Sequence, residues 1–551
     1  MSADPADVTL NITPKNTEEF YTRTSLADRT LALGKSPGYA VPGANLTLSL
    51  GEIAVTNLVT LVNSNQVKPA VAPIGLDYLF EPLRRAGFEP EMLDLCFCTD
   101  IEQEISQYCH RRKPAFWGVT MRNTDDVYFS NQHSFVDTVR FIINALRAHS
   151  NVPIVMGGVG FSVMPETIME LCGVDFGIVC EGEVSFPELL KRLSMGQPYE
   201  DIPGLVYRTD QGIRRNAVSF ADLSSVGSRS RTGVDNHAYF LKGGLAAVET
   251  KRGCTRPCIY CVEPLVKGKK IRLRNPKDAV DEIENLVRQG AYAIHINDSE
   301  FNLDVPHAIA FCKEMIARRM NRCVEWYAYG MPSPFPESLA AHMKEAGCVG
   351  MNFGTDSASE KMLRVLMRTF RPKHIEAAVN LCKKYGLRHI VEILFGAPGE
   401  DADTVRETIT FLKTLNPELV SVTAGLRVFP GTALESMVRK QGMMKDNPNL
   451  YGAVGDNDNL LKPVFFLSSE IGPKPLEYIG QLVGDDRRFF GVNSDQFNYN
   501  ANQLLVDAIA NGARGAYWMI LSALNRDAPP SNSQPQIPLV QLAPRAVLQA
   551  S

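Results

Sequence analysis

Cys254, Cys258 and Cys261 stand four and three residues apart in Cys254-Thr-Arg-Pro-Cys258-Ile-Tyr-Cys261, just after a short apolar run from Leu245 to Val248. Three thiolates on one tight loop suit a [4Fe-4S] cube, whose fourth iron then stays open to a non-cysteine ligand. The competing use is a structural zinc knuckle. Zinc closes a tetrahedron with four ligands, and no further Cys or His follows here until His295. The spacing therefore favours the cluster. A second stretch, Gly157-Gly158-Val-Gly160, separates an apolar run from a helical pattern. Bare backbone there lets a large ligand approach, although the pattern is not Gly-x-Gly-x-x-Gly and gives no dinucleotide site. The bland alternative is a tight turn with nothing bound. The remaining cysteines of the chain's 12 are scattered through apolar segments and read as small core residues.

The elements that must hold these loops follow from length and periodicity. At 551 residues and 45% hydrophobic content the chain can bury several cores, roughly two to four domains. A net charge of −4 leaves no global footprint for nucleic acid, and no run of about eighteen apolar residues could span a bilayer. The polar, Asp-bearing start lacks a secretory pattern, and the cysteine usage suits a reduced compartment, so a cytoplasmic location is expected. Residues 1–50 read as an extended arm. Over 51–205, strands near 58–62, 91–95, 116–121, 153–156 and 176–180 alternate with helices near 73–86, 101–110, 135–148 and 186–193. That alternation predicts a doubly wound, Rossmann-like parallel sheet with ligands at the strands' carboxyl ends. Residues 206–244 form a connector with a hairpin turning at Asp210-Gln-Gly212. Over 245–435, six strand–helix repeats predict a partial (β/α)6 barrel, its reactive groups again at the carboxyl ends. Residues 436–526 read as a mostly helical cap over the barrel mouth, and 527–551 as a disordered tail. The fold class is α/β.

With Tyr260 in the aromatic slot, Cys-x-x-x-Cys-x-aromatic-Cys resembles the signature of radical S-adenosylmethionine (SAM) enzymes. In that family the open iron chelates the amino and carboxylate groups of SAM, and an electron from the cluster cleaves the sulfonium to a 5′-deoxyadenosyl radical. The resemblance implies further contacts at the strand ends. Asp298 and Glu300 would hold the methionine amino group, their bland use being helix capping. Thr355, in Asn352-Phe-Gly-Thr-Asp-Ser357, would meet ribose or substrate. Arg364 or Arg368 would grip the carboxylate, and Gly396 would lie against adenine. The runs Pro153-Ile-Val-Met-Gly-Gly-Val-Gly and Val179-Cys-Glu-Gly-Glu-Val resemble the cobalamin-binding domain that precedes the cluster motif in one large subclass. They imply Asn63, Gly157, Gly158, Gly160, Glu181 and Gly182 as cobalamin contacts. Asp94-Leu-Cys96-Phe-Cys98 carries no histidine for the cobalt. Arg122 is then expected either beneath the corrin or at the surface, paired with Asp125 or Asp126.

The resemblance implies a cobalamin-dependent radical SAM methyltransferase that places a methyl group from methylcobalamin on an unactivated carbon of a small-molecule or peptide substrate. Oxidative ring closure of the magnesium-protoporphyrin cyclase type and non-radical, tryptophan-type C-methylation are alternatives, and a cobalamin or SAM sensor is the non-enzyme one. The basic stretch Lys267-Gly-Lys-Lys-Ile-Arg-Leu-Arg274 reads as a solvated loop that could attract an acidic electron donor such as flavodoxin or ferredoxin.

Overall fold

The computed structural model describes residues 57–225, 229–491 and 498–526; the expected arm and tail lie outside them. The first sheet contains β1 (Leu58–Asn63), β2 (Glu89–Asp94), β3 (Phe116–Thr120), β4 (Ile154–Gly157), β5 (Phe176–Ile178), β6 (Leu205–Thr209) and β7 (Gly212–Arg215), in the order β2-β1-β3-β4-β5-β6-β7. The first five are parallel. Helices cover both faces, so a central strand such as Leu-Val-Thr-Leu-Val-Asn is buried nearly throughout. Leu146, Ile142 and Ile105 pack on one face, Leu83, Leu189 and Phe186 on the other. Two expectations change. The helix over 73–86 is two short ones, Ile74–Asp77 and Phe80–Arg85, because Pro82 has no N–H to give and sits in the first turn of a new helix. The hairpin assigned to the connector belongs to this sheet: β6 joins β5 antiparallel and covers its edge.

The second sheet runs β8 (Ala246–Val248), β11 (Ala293–Ile296), β12 (Glu325–Gly330), β13 (Cys348–Asp356), β14 (Arg388–Phe395), β15 (Leu419–Ala424) and β19 (Phe489–Phe490), all parallel. The last strand is a seventh that the six repeats do not predict. Alternation sorts the side chains. Ile294, Ile296, Trp326, Ala328, Met351 and Phe353 pack under the outer helices, as do Val391 and Ile393. Their neighbours His295, Tyr327, Asn352, Ile390 and Glu392 therefore face the lumen. Between β8 and β11 a short antiparallel pair, β9 (Lys251–Arg252) and β10 (Arg272–Leu273), brackets the three-cysteine loop. A small antiparallel sheet of β16 (Leu426–Arg427), β17 (Leu450–Gly452) and β18 (Val464–Phe466) packs with Ile259 of that loop.

The expected cap over the mouth is corrected as well. The helix Tyr517–Arg526 closes the other end: Trp518 and Ala516 pack with Tyr327, Ile390, Leu419 and Phe490 near the amino ends of the strands. Bare backbone admits it there, since a Cβ on Gly350 would stand 2.4 Å from Met519 Cε and 3.1 Å from the Trp518 ring. Gly515 N–H and Tyr517 Oη donate to the carbonyls of Gly244 (2.9 Å) and Gly243 (2.8 Å) beside β8, so the segment also bridges the open seam of the barrel.

Paired charges join the two α/β units. Arg231 Nε lies 2.6 Å from Asp77 Oδ2, and its Nη1 lies 2.8 Å from Glu282 Oε1. Arg274 also meets Glu282 (2.8 Å), and Arg252 meets both Glu183 (2.7 Å) and Glu249 (2.8 Å). The Tyr78 ring lies in their midst, 3.7 Å from the Arg229 guanidinium. Buried charge at this density is tolerable because each ion has a counter-ion at hydrogen-bond distance. A second seam joins Asp125, beyond β3, to Arg427 of β16 at 3.0 Å, with Phe129 stacked edge-on against Phe465.

Candidate active site

Gly253 opens the cysteine loop at φ +92°, and a Cβ there would come 2.1 Å from Lys270 O, so only glycine fits. Cys254 N–H donates to Gly268 O at 3.0 Å, and Cys261 N–H to Cys258 O at 3.2 Å. Asp298 anchors the approach to the loop. Its carboxylate accepts from Thr250 N–H (2.7 Å), Thr250 Oγ1 (2.6 Å) and Lys251 Nζ (2.6 Å). Those donors occupy both oxygens of a buried side chain, so Asp298 holds protein rather than standing open to an ammonium.

Burial pushes the Cys254 thiol up to about 11 and the Cys261 thiol further, and the neighbouring thiols add to both shifts. One buried and two half-buried thiols, each disfavouring ionisation of the others, are a donor set that a cationic iron–sulfide core relieves. Among the described residues no three His, Cys, Asp or Glu converge on one metal ion. Arg368 Nη1 reaches Cys258 Sγ at 2.9 Å, and its Nε lies 3.4 Å from Asp356. Tyr260 Oη donates to the same carboxylate at 2.8 Å. Arg364, the other arginine considered, is exposed and pairs with Glu360 at 3.6 Å. Thr355 turns away: its buried hydroxyl donates to Phe353 O at 2.9 Å, and a bulge at Gly354/Asp356 brings Asp356 inward instead.

Glu300 stands beside Arg368. A Cβ on Gly354 would be 3.7 Å from Arg368 Nη2 and 3.8 Å from Glu300 Oε1. Burial raises the Glu300 carboxyl to about 8, and its Oε2 has no partner, nor does Arg256 Nε in the cysteine loop. An unmatched acid and an unmatched guanidinium beside three thiols fit the ammonium and carboxylate of SAM. Gly396 presents no free amide: its N–H goes to Glu400, and its left-handed turn packs on Leu467.

Below the mouth the lumen is aromatic. His295 stacks on Tyr327 at 4.5 Å with 4° between planes, and Tyr329 meets it edge-on at 4.9 Å. Burial lowers His295 to about 4, so it is neutral near pH 7. Tyr499 and Tyr517, 5.7 Å apart, come from the C-terminal segment.

At the first sheet, Asn63 is spent internally: its Nδ2 donates to Asp94 (2.9 Å) and to Tyr239 Oη (2.8 Å). Gly158 and Gly160 are small because chain crosses them; Cβ atoms there would lie 2.5 Å from Met121 O and 2.6 Å from the Asn123 backbone. Gly157 is more open, with Ile178 O at 3.5 Å, and Gly182 abuts Leu79 at 3.3 Å. Glu181 pairs with Arg272 (2.6 Å) and Arg252 (3.3 Å). Arg122 is not the expected surface residue: Asp125 pairs with Arg427 and Asp126 accepts from Asn131 and Asn498, while burial lowers the Arg122 guanidinium near Tyr517 and Tyr329. Val159 after β4, Val184 after β5 and Leu265 after the cysteine loop remain 38%, 66% and 41% exposed. An apolar rim at the strands' carboxyl ends fits the hydrocarbon face of a corrin. The basic stretch is largely consumed: Lys267, Arg272 and Arg274 pair with glutamates, leaving Lys269 and Lys270 exposed.

Family models describe the same division. The radical SAM superfamily matches residues 248–412 and the B12 binding domain residues 61–190. Tryptophan 2-C-methyltransferase of Streptomyces laurentii is 33% identical over 491 residues, covering 78% of this chain and 81% of that protein. The solved radical S-adenosylmethionine methyltransferase TsrM of Kitasatospora setae, bound to its tryptophan substrate and a SAM analogue, superposes with a TM-score of 0.80 at 31% identity, covering 85% of this chain and 98% of that one. Another TsrM structure contains cobalamin and a [4Fe-4S] cluster. The cobalamin-dependent radical enzyme OxsB shares the fold at 16% identity and a TM-score of 0.65, covering 79% of this chain and 67% of that one. With a B12 binding domain, a radical SAM barrel and a methyltransferase relative matched over most of both chains, this protein belongs to the cobalamin-dependent radical SAM methyltransferases.

Proposed function

We propose that this enzyme methylates a ring carbon of tryptophan or of a closely similar aromatic amino acid. The observation that carries the proposal is the aromatic lining of the barrel below the cysteine loop, Tyr327, Tyr329, Tyr499 and the His295 ring, whose ring faces and hydroxyls suit an aromatic guest. Likeness to the Streptomyces laurentii and Kitasatospora setae proteins supports it.

In this assignment Cys254, Cys258 and Cys261 hold the cluster, and Arg368 tunes it through Cys258. Glu300 would receive the SAM ammonium, and Arg256 and Arg368 its carboxylate. Gly157, Val159 and Val184, at the carboxyl ends of the first sheet, would hold cobalamin, with Arg122 available to it from beyond β3. When bound, cobalamin supplies the methyl group and SAM the one that replaces it. The chain's own work is positioning: the tyrosine walls orient the ring, the plugged base excludes water, and the paired charges between units fix the distance between the two cofactor edges. A flavodoxin- or ferredoxin-type protein is the electron donor, with Lys269 and Lys270 as its exposed contacts.

Anaerobic reconstitution with cluster, methylcobalamin, SAM and tryptophan tests the proposal. Methyltryptophan with S-adenosylhomocysteine and no 5′-deoxyadenosine is expected. 5′-Deoxyadenosine formed in step with product means a radical route, and unmodified tryptophan overturns the substrate.

A further inference from the structure

The lumen contains a carboxyl group for which the fold provides no counter-ion. Glu392 points inward from β14, and its Oε1 accepts from Asn352 Nδ2 at 2.8 Å. Among the described residues no Lys, Arg or His lies within ion-pairing distance of it. The charge it feels is that of Asp356, which is like-charged, and it bears in turn on Glu300 and on the phenols of Tyr327, Tyr329 and Tyr499. Burial, with Asp356 adding to it, raises the Glu392 carboxyl above the ordinary glutamate range.

Two further atoms mark the same place as a receptor. Asn352 is 1% exposed, and its amide, which gives its N–H to Glu392, leaves Oδ1 with no donor. His295, 9% exposed on β11, leaves Nε2 without a partner. A native fold seldom strands buried polar atoms, and two of them facing one lumen beside the Glu392 carboxyl call for a guest that satisfies them. Asn352 Oδ1 can only accept, as can Glu392 when ionised. The carboxylates nearer the cluster are already matched, since Asp298 has Lys251 and Asp356 has Arg368. Glu300, whose Oε2 is also without a partner, lies beside Arg368 and the cysteine loop and is the group assigned to the SAM ammonium.

We propose that Glu392 and Asn352 form the receptor for a primary ammonium group, and that the enzyme selects substrates whose amine enters the lumen while the ring stays among Tyr327, Tyr329 and Tyr499. This rests on the aromatic amino acid reading and deepens it by naming the group recognised. A site built around a buried acceptor rejects a ligand that lacks the donor far more strongly than an apolar pocket rejects a lost methylene. Tryptophan and tryptamine are therefore ligands, and indole-3-propionate, which keeps ring and chain but has no amine, is not.

Anaerobic calorimetry on the cluster- and cobalamin-loaded full chain tests this with those three compounds. Wild type is expected to bind tryptophan and tryptamine at least about tenfold more tightly than indole-3-propionate. Glu392→Gln is expected to lose that preference while retaining its cluster and cobalamin spectra and its affinity for SAM. Equal binding of all three compounds by wild type overturns the ammonium assignment and leaves the aromatic reading standing. Binding of none overturns both. A Glu392→Gln enzyme that loses SAM but keeps the amine preference shows the carboxylate to serve the cosubstrate, and likewise overturns the proposal.

Discussion

Arg368 touches a cluster thiol, a carboxylate and the Gly354 carbonyl at once, whereas Arg364, four residues earlier on the helix Glu360–Val365, faces solvent. A planar guanidinium with five fixed donors can serve three acceptors together, which a lysine cannot. Arg368→Ala is therefore expected to weaken SAM binding at least about tenfold in equilibrium titrations, while Arg364→Ala stays within about twofold of wild type. Equal losses from the two variants would refute this division. The sequence could narrow the choice only to the pair: both fit a helical spacing, but the helix ends at Val365 and Met367 turns at φ +57°, which points Arg368 inward. Nor could it separate Thr355 from Asp356. A single bulge in β13 decides which side chain enters the lumen, and a bulge leaves no mark in hydrophobic periodicity. Asp298 was legible as an acid at a strand end but not as one already matched, because its donors at Thr250 and Lys251 lie 48 and 47 residues away.

At the scale of elements, the five parallel strands of the first sheet and the first six of the second, with their order along the chain, were plain in the sequence. Parallel strands buried on both faces read as unbroken apolar runs, and the helices between them end at glycines such as Gly173 and Gly386. What each glycine or loop touches was not plain. Gly158 adopts φ +100° and lies under the Met121 carbonyl, so its reason lies in a strand some 35 residues earlier rather than in a ligand. Gly158→Ala combines backbone strain with a clash and is expected to cost about 2–4 kcal/mol in chemical denaturation of the cofactor-free protein. A loss of cobalamin retention with no loss of stability would point to a ligand contact instead. The loop that follows β3 also carries Asp125, which meets Arg427 across 302 residues of chain. No local pattern encodes such a pairing, and it is what ties Arg122 to the barrel side.

For the whole molecule, the charge network between the two units makes a pH prediction. Burial opposes ionisation of Glu183, but Arg252 and Arg229 prevail and hold its carboxyl near 2, and Glu282 is lowered in the same way by Arg274 and Arg231. A folded carboxylate depressed below its unfolded value contributes stability above pH 4.5 and loses it as the pH falls toward 2, because the unfolded chain takes up protons first. Thermal unfolding should therefore steepen in its pH dependence below about pH 4.5. Glu183→Gln should flatten that slope and lower stability at pH 7 by on the order of 3 kcal/mol, since Arg252 loses a buried partner. An unchanged acid slope would mean the network adds nothing to cohesion.

The helix wedged against Gly350 has a kinetic corollary. With Trp518 and Met519 filling the floor and the neighbouring turn stitched to Gly243 and Gly244, the tube is a blind alley. Among the described residues, a molecule that enters past the cysteine loop meets that closed floor and leaves by the side it entered.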